Sequence, residues 1–197
     1  RIPAVDVAKY QAIKAHLDLH WDKIEPRCDQ GNTPYNLRHC AYVEEFEKEK
    51  IVYPNMTKYL PFVFDNSAFY TNQKCFILTK NSEKLHLKFL VAYLNSSVSH
   101  KWLRENCPEL QGGTRELSKI FFENIPIIEC SINTQGSFVA LAEKIIEKKL
   151  KNIDTTLEER EIDLLVYKLY GLSYSEVLVV DPDFWMNEEE YEGAEVL

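Results

Sequence analysis

The sequence predicts an α/β (α+β) fold, a small mixed β-sheet flanked by helices at its N- and C-terminal sides. Three observations predict it. Apolar residues recur at three- and four-residue steps from Tyr10 to Ile24 and again from Phe138 to Leu169. Between them, from Ile51 to Thr79, the period changes to short runs rich in aromatic and β-branched residues. These runs are cut by Pro54-Asn55, Leu60-Pro61, Asp65-Asn66 and Asn72-Gln73, which are turn signals. The chain reads as three segments: an N-terminal helical extension over 1–49, a strand-rich domain over 50–130, and a helical region with an acidic tail over 131–197.

Taken in order, Asp6 caps a first helix that places Tyr10, Ile13, Leu17, Trp21 and Ile24 on one face. That helix ends between Pro26 and Gly31, and Asp29 to Pro34 is a loop by composition. Glu44 to Lys50 is a charge run, expected as a solvated face. Ile51-Val52-Tyr53 is a strand, and Cys75 to Thr79 reads as a central strand, apolar on both faces. Leu87, Leu90, Val91 and Leu94 return to helical spacing, with Asn81 or Ser82 as cap. Val98, Trp102 and Leu103 belong to a second helix that Pro108 stops. Gly112-Gly113 calls for unusual backbone angles or close approach of another chain. Phe138, Leu141, Ala142, Ile145 and Ile146 form an apolar stripe behind Ser137. Thr156 with Glu159 makes a capping box, and Gly171 stops the helix that follows. Ser173 to Glu176 starts a short helix, and Asn187 to Leu197 is an acidic tail expected to fray.

A length of 197 residues with 45 % apolar content can bury a substantial core. No run approaches the ~18 apolar residues of a membrane span, and no signal peptide opens the chain, so the expected partners include no membrane and the expected location is cytoplasmic. The chain opens at Arg1 without a methionine, which reads as a piece of a longer polypeptide. Five cysteines, none in a CxxC pair, read as reduced structural thiols.

Net charge is −8, which argues against nucleic acid, but the charge is uneven. Residues 51–120 carry 9 Lys and Arg against 5 Asp and Glu; residues 121–197 carry 6 against 17. A basic island in an acidic chain is the electrostatic footprint of a surface that meets a polyanion.

Several motifs sit in the same order as in a known family: Lys50-Ile51-Val52-Tyr53-Pro54, Phe64 to Asn72, Cys75 to Thr79, Leu90 to Ser96, Gly112-Gly113 and Asn124-Ile125-Pro126-Ile127. The ordered set resembles the TaqI-like C-terminal specificity domain, the target-recognition part of type IIG restriction–modification enzymes and adenine-specific DNA methyltransferases. Glu161 to Leu172 looks like the helix that often closes such polypeptides. The resemblance implies that residues 50–130 are a DNA target-recognition domain. Neither the Asn-Pro-Pro-Tyr type motif of the methyltransferase core nor a Pro-Asp…Glu-x-Lys nuclease signature is present. It therefore implies double-stranded DNA and the parent's methyltransferase domain as partners, no catalytic residue and no cofactor in this piece, and S-adenosylmethionine and magnesium for the parent enzyme.

Under that resemblance, Lys58, Lys74, Lys80, Lys101 and Lys119 are candidates for phosphate contacts. Asn55 and Thr57 on one loop, and Gln111, Thr114 and Arg115 on another, are candidates for reading base edges. Arg115 beside two glycines is the preferred guanine reader, because a guanidinium pairs bidentately with guanine. Other chemistry is weaker. His16 and His20 have helical metal spacing but no third ligand, and His39-Cys40 are adjacent residues that seldom face one another as nucleophile and base. The competing reading is a protein-interaction or DNA-mimic module, docking through its acidic last third on a methyltransferase core or another partner.

Overall fold

The computed structural model describes residues 3–195, and these form an α+β architecture. They divide into two compact units, with the boundary between Val43 and Glu44.

In the first unit Asp6 does cap a helical turn, Val7–Lys9, by accepting the Ala8 N–H. The expected single helix is instead broken into α1, Gln11–Asp18, and α2, Trp21–Ile24. Tyr10 and Ile13 are exposed, and no residue of either helix is buried. An apolar stripe with no fully buried residue does not sustain one long helix, because most helical stability comes from packing. The loop that follows is closed by a Gln30–Leu37 bridge and by Arg27, which donates to the Pro34 carbonyl at 2.9 Å. A Cβ on Gly31 would collide with the Leu37 carbonyl oxygen, so this turn needs glycine.

The second unit contains both sheets. β1 (Lys50–Pro54) leads into β2 (Met56–Thr57), followed by β3 (Val63–Asp65) and β4 (Cys75–Thr79). β1 is central in an antiparallel sheet of order β3-β1-β4, with Ile51 opposite both Phe64 and Leu78. Cys75–Thr79, expected at the centre, is therefore an edge strand. Its apolarity on both faces has a local cause: Phe76 and Leu78 pack inward, and Ile77 on the other face is partly covered. α3 (Leu87–Leu94) and α4 (Ser97–Asn106) come next. The cap of α3 is His86, whose Nδ1 accepts the Lys88 N–H, not Asn81 or Ser82. β5 (Glu109–Leu110), β6 (Thr114–Glu116) and β2 form a second antiparallel sheet of order β2-β6-β5.

α5 (Lys119–Phe122) leads to α6 (Ile132–Leu150) and α7 (Thr156–Leu169). α6 starts earlier than its stripe suggested, because Ser131 accepts the Thr134 N–H as cap. Thr155, not Thr156, stands at the cap of α7, and its hydroxyl donates to Glu159. The α6–α7 hairpin is clamped by Glu158, which is almost fully buried between Lys144 and Lys148 at 2.7 Å each. Those two ammonium groups hold its carboxyl down, to about 2. Gly171, at φ +63, ends α7 as expected.

α3 packs on β1, β3, α6 and α7 and forms the centre of the main core. Tyr53 sits there within 4.7 Å of Phe122 and 5.4 Å of Phe62, ring centre to ring centre, and burial pushes its hydroxyl up to about 12. Phe138, Leu165 and Val166 of α6 and α7 complete that core. A second apolar cluster joins α7 to α8 (Tyr174–Val180) and α9 (Glu188–Gly193). Asn187 to Gly193 thus does not fray: Asn187 and Glu190 form a capping box, and Tyr191 is buried. Its hydroxyl donates to the Leu172 carbonyl at 2.7 Å. Val196 and Leu197, the end of the expected tail, lie outside the described residues.

The charge run from Glu44 to Lys50 is solvated only in part. Phe46 and Lys50 are buried, because Lys50 Nζ finds the Phe46 carbonyl at 2.7 Å and the Asp65 carboxylate. Among the described residues no helix is long and apolar enough to cross a membrane.

Candidate nucleic-acid interface

The small sheet joins segments about sixty residues apart. β2 and β6 pair with Thr57 opposite Arg115 and Met56 opposite Glu116; β5 and β6 pair with Glu109 opposite Arg115 and Leu110 opposite Thr114. The pairing continues past β2, where the Leu117 N–H donates to the Asn55 carbonyl at 2.7 Å. Asn55 in turn donates its N–H to the Lys74 carbonyl at 2.8 Å. Asn55, Thr57, Lys58, Lys74, Gln111, Thr114 and Arg115 are therefore gathered around one structure, although the sequence carries them on separate loops.

The sheet has an inner and an outer end. At the inner end Leu117 is fully buried beside Asn55. At the outer end the β5–β6 hairpin turns through Gln111, Gly112 and Gly113. Both glycines have positive φ, +76 and +77, which side chains with a Cβ rarely adopt. Lys58 extends over this turn: a Cβ on Gly112 would lie 3.7 Å from its Nζ. The outer end thus gathers an exposed amide, an exposed ammonium and glycine backbone in one place.

Side chains opposite each other across antiparallel strands share a face. Thr57, Arg115 and Glu109 lie on one face, with Asn55 in line, while Met56, Glu116, Thr114 and Leu110 lie on the other. The five proposed base readers are divided between the two faces and the tip. Arg115 is 14 % exposed, and its guanidinium Nη2 forms an ion pair with the Glu109 carboxylate at 2.7 Å. Burial pushes the neighbouring Cys107 thiol up, and the Arg115 charge opposes that shift. Asn55 Oδ1, Arg115 Nε and Ser118 Oγ are buried polar atoms without a hydrogen-bond partner among the described residues.

The phosphate candidates divide clearly. Lys58 and Lys74 are exposed, border the sheet and make no ion pair among the described residues. Lys119 follows two residues after Leu117, is exposed and stands 3.8 Å from Glu123. Lys80 lies beyond the far end of β4, about 20 Å from Lys74 at the rise of a strand, and pairs with Glu83 at 2.5 Å. Lys101 sits on α4 and pairs with Glu105 at 2.8 Å. Lys80 and Lys101 are thus each held in a local ion pair, unlike Lys58 and Lys74.

Sequence reasoning missed Tyr59 and Glu109. Tyr59 follows Lys58 directly and is 79 % exposed. Thr57 was its signal, since a threonine hydroxyl two residues earlier often closes a local turn. Glu109 had no signal, because its strand partner is set by the hairpin register. Elsewhere, a cleft of about 390 Å³ in the first unit is lined by Pro3, Val5, Asn36, His39 and Cys40 among others. No group of three or more His, Cys, Asp or Glu side chains converges among the described residues in a way that could hold a metal ion.

A family model, the TaqI-like C-terminal specificity domain, matches residues 6–127. No curated protein matches the chain. The matched stretch ends at Ile127, next to the Pro126 carbonyl that accepts hydrogen bonds from Tyr93 at 2.5 Å and from Tyr170, the residue that follows α7, at 2.8 Å. The match contains every strand and both glycines of the hairpin tip, and with it the ordered motifs from Lys50 to Ile127. The chain belongs to the TaqI-like C-terminal specificity domain family, the specificity domains of restriction–modification enzymes.

Proposed function

We propose that this chain is the sequence-reading module of a type IIG restriction–modification enzyme or related adenine-specific DNA methyltransferase. It binds double-stranded DNA, selects the site, and leaves cleavage and methyl transfer to the rest of the parent polypeptide, in the cytoplasm. The observation that carries this reading is the small sheet: two segments far apart in sequence meet there, and its tip gathers Lys58, Gln111 and two left-handed glycines. Lys58, Lys74 and Lys119 supply phosphate contacts that set register, and Gln111, Thr114, Arg115, Asn55 and Thr57 supply hydrogen-bonding groups for base edges. Lys80 and Lys101 belong to the broader basic field and steer approach.

In this reading magnesium and S-adenosylmethionine serve the parent's catalytic domain, and this chain contributes no step to their chemistry. The parent's methyltransferase domain is the protein partner.

Selection from a pool of duplexes with a randomised core tests the reading. The chain enriches a short defined sequence, and Arg115→Lys or Gln111→Ala relaxes that enrichment at single positions. Enrichment of no sequence by the intact chain, or identical enrichment by both variants, contradicts it.

A further inference from the structure

Tyr59 is the most exposed aromatic side chain bordering the small sheet, and its ring makes no aromatic or cation contact among the described residues. A single exposed apolar residue ordinarily needs no explanation. This one differs in how it is held. The Thr57 hydroxyl donates to the Tyr59 carbonyl at 2.7 Å and accepts the Tyr59 N–H at 3.1 Å. Three residues later the Asn95 amide grips Phe62, accepting its N–H at 3.3 Å and donating to its carbonyl at 2.8 Å. Phe62 itself is buried in the main core. The segment carrying Tyr59 is therefore pinned at both ends by side chains, and its ring is presented from a fixed backbone. Met56, just before, is 47 % exposed. Lys58, adjacent, is a cation without a carboxylate partner among the described residues and lies over the hairpin tip. An exposed aromatic ring on a held backbone, beside a cation that makes no ion pair among the described residues, complements a ligand that is both anionic and flat-faced. Nucleic acid has that combination of phosphate and base.

We propose, resting on the DNA-binding role above, that Tyr59 is a stacking residue: its ring packs against a base face exposed where the bound duplex is opened at one step. The contact is made by the ring and not by the hydroxyl. It adds affinity without adding a phosphate contact, whereas Lys58 next to it adds a phosphate contact.

The two roles separate experimentally. The intact chain is titrated with a 30-base-pair duplex of randomised sequence over a range of salt concentrations. Tyr59→Ala lowers affinity about tenfold and leaves the salt slope unchanged. Tyr59→Phe binds within twofold of the natural chain, because the ring is kept. Lys58→Ala reduces the salt slope by about one. Tyr59→Trp gains an emission, relative to the natural chain with its three tryptophans, that duplex quenches and shields from acrylamide. Exposure of Tyr59 leaves folding intact in each variant, which thermal unfolding verifies. Full affinity in Tyr59→Ala overturns the proposal while leaving the DNA-binding role standing. Equal losses in Tyr59→Phe and Tyr59→Ala overturn it in favour of a hydroxyl contact. Unquenched Tyr59→Trp emission on saturating duplex also overturns it and points to a protein surface as the occupant. Absence of duplex binding by the natural chain at low salt removes the DNA-binding role and this contact together.

Discussion

The Arg115 guanidinium stands 2.7 Å from the Glu109 carboxylate, its directly opposed residue across β5 and β6. The carboxylate engages one arm, Nη2, of the fork that a guanine edge would take. Glu109 is half-exposed, so the pair adds less than about 1 kcal/mol to stability. Glu109→Gln is therefore expected to fold normally and to bind duplex several-fold more tightly, since it removes both a competitor and a negative charge. Arg115→Lys should lose about 1–3 kcal/mol of discrimination at one position, because an ammonium cannot pair bidentately. Fluorescence anisotropy at fixed salt checks both; weaker binding by Glu109→Gln contradicts the role given to Arg115.

Lys50 and Asp65 carry a different kind of ion pair. Lys50 is fully buried at the head of β1, and its register partner Asp65 is 15 % exposed. Burial pushes the Asp65 carboxyl up, but hydrogen bonds from Lys50, Ser67 and the Phe69 N–H outweigh it and hold it at about 2. A lowered carboxyl stabilises the fold above its ordinary value of 3.8, and that contribution is lost as pH falls toward 2. Asp65→Asn strands a buried ammonium and is expected to cost about 3–5 kcal/mol in denaturant unfolding at pH 7. A cost under 1 kcal/mol contradicts the burial of that charge.

Asp163 behaves oppositely. Burial pushes its carboxyl up to about 6, against the Ser97 backbone N–H at 2.7 Å and the Ser97 hydroxyl at 2.8 Å, which favour the charged form. Because the folded value is raised, the folded chain holds this proton more tightly than the unfolded one. Its contribution is full below about 4 and is lost as pH rises through 6. Asp163→Asn should thus gain in melting temperature relative to the natural chain between pH 5 and pH 7.5. A difference that stays flat over that range contradicts the burial of this carboxyl.

The last helix is integral to the second cluster. Tyr191 packs edge-on against Phe184 at 5.8 Å, and its backbone carbonyl accepts from Lys168 at 2.6 Å. Tyr191→Ala is expected to destabilise the chain by about 3–5 kcal/mol, and Tyr191→Phe by about 1 kcal/mol through the lost bond to Leu172. Chemical denaturation distinguishes the two, and a neutral Tyr191→Ala means that this segment does not contribute to the fold.

Much of this organisation was legible in the residues. Ile51 to Tyr53, the α3 stripe, the helix start at Ser173 and the Gly171 stop are local signals, and these local signals survive folding. Arg115 and Thr57 were legible as candidates, but not as neighbours, because a register between strands about sixty residues apart is set by the whole core. Lys50 was misread for the same reason: its acceptors, Phe46 and Asp65, come from a turn and a strand that only tertiary packing brings to it. The acidic tail was misread because charge count outweighed one tyrosine, while the burial of that tyrosine decides its structure. The divided faces of the small sheet were not legible at all, since the hairpin turn that fixes them depends on two left-handed glycines.

The central claim is that the tip and border of the β2-β6-β5 sheet face DNA, and the salt dependence of duplex binding tests it most directly. Two double variants are compared over the same salt series, Lys58→Ala with Lys74→Ala and Lys80→Ala with Lys101→Ala. The account predicts that the first pair lowers the salt slope by about two and weakens binding at every salt, while the second leaves the slope unchanged. Equal slopes in the two variants, or a larger change from Lys80 and Lys101, would contradict it.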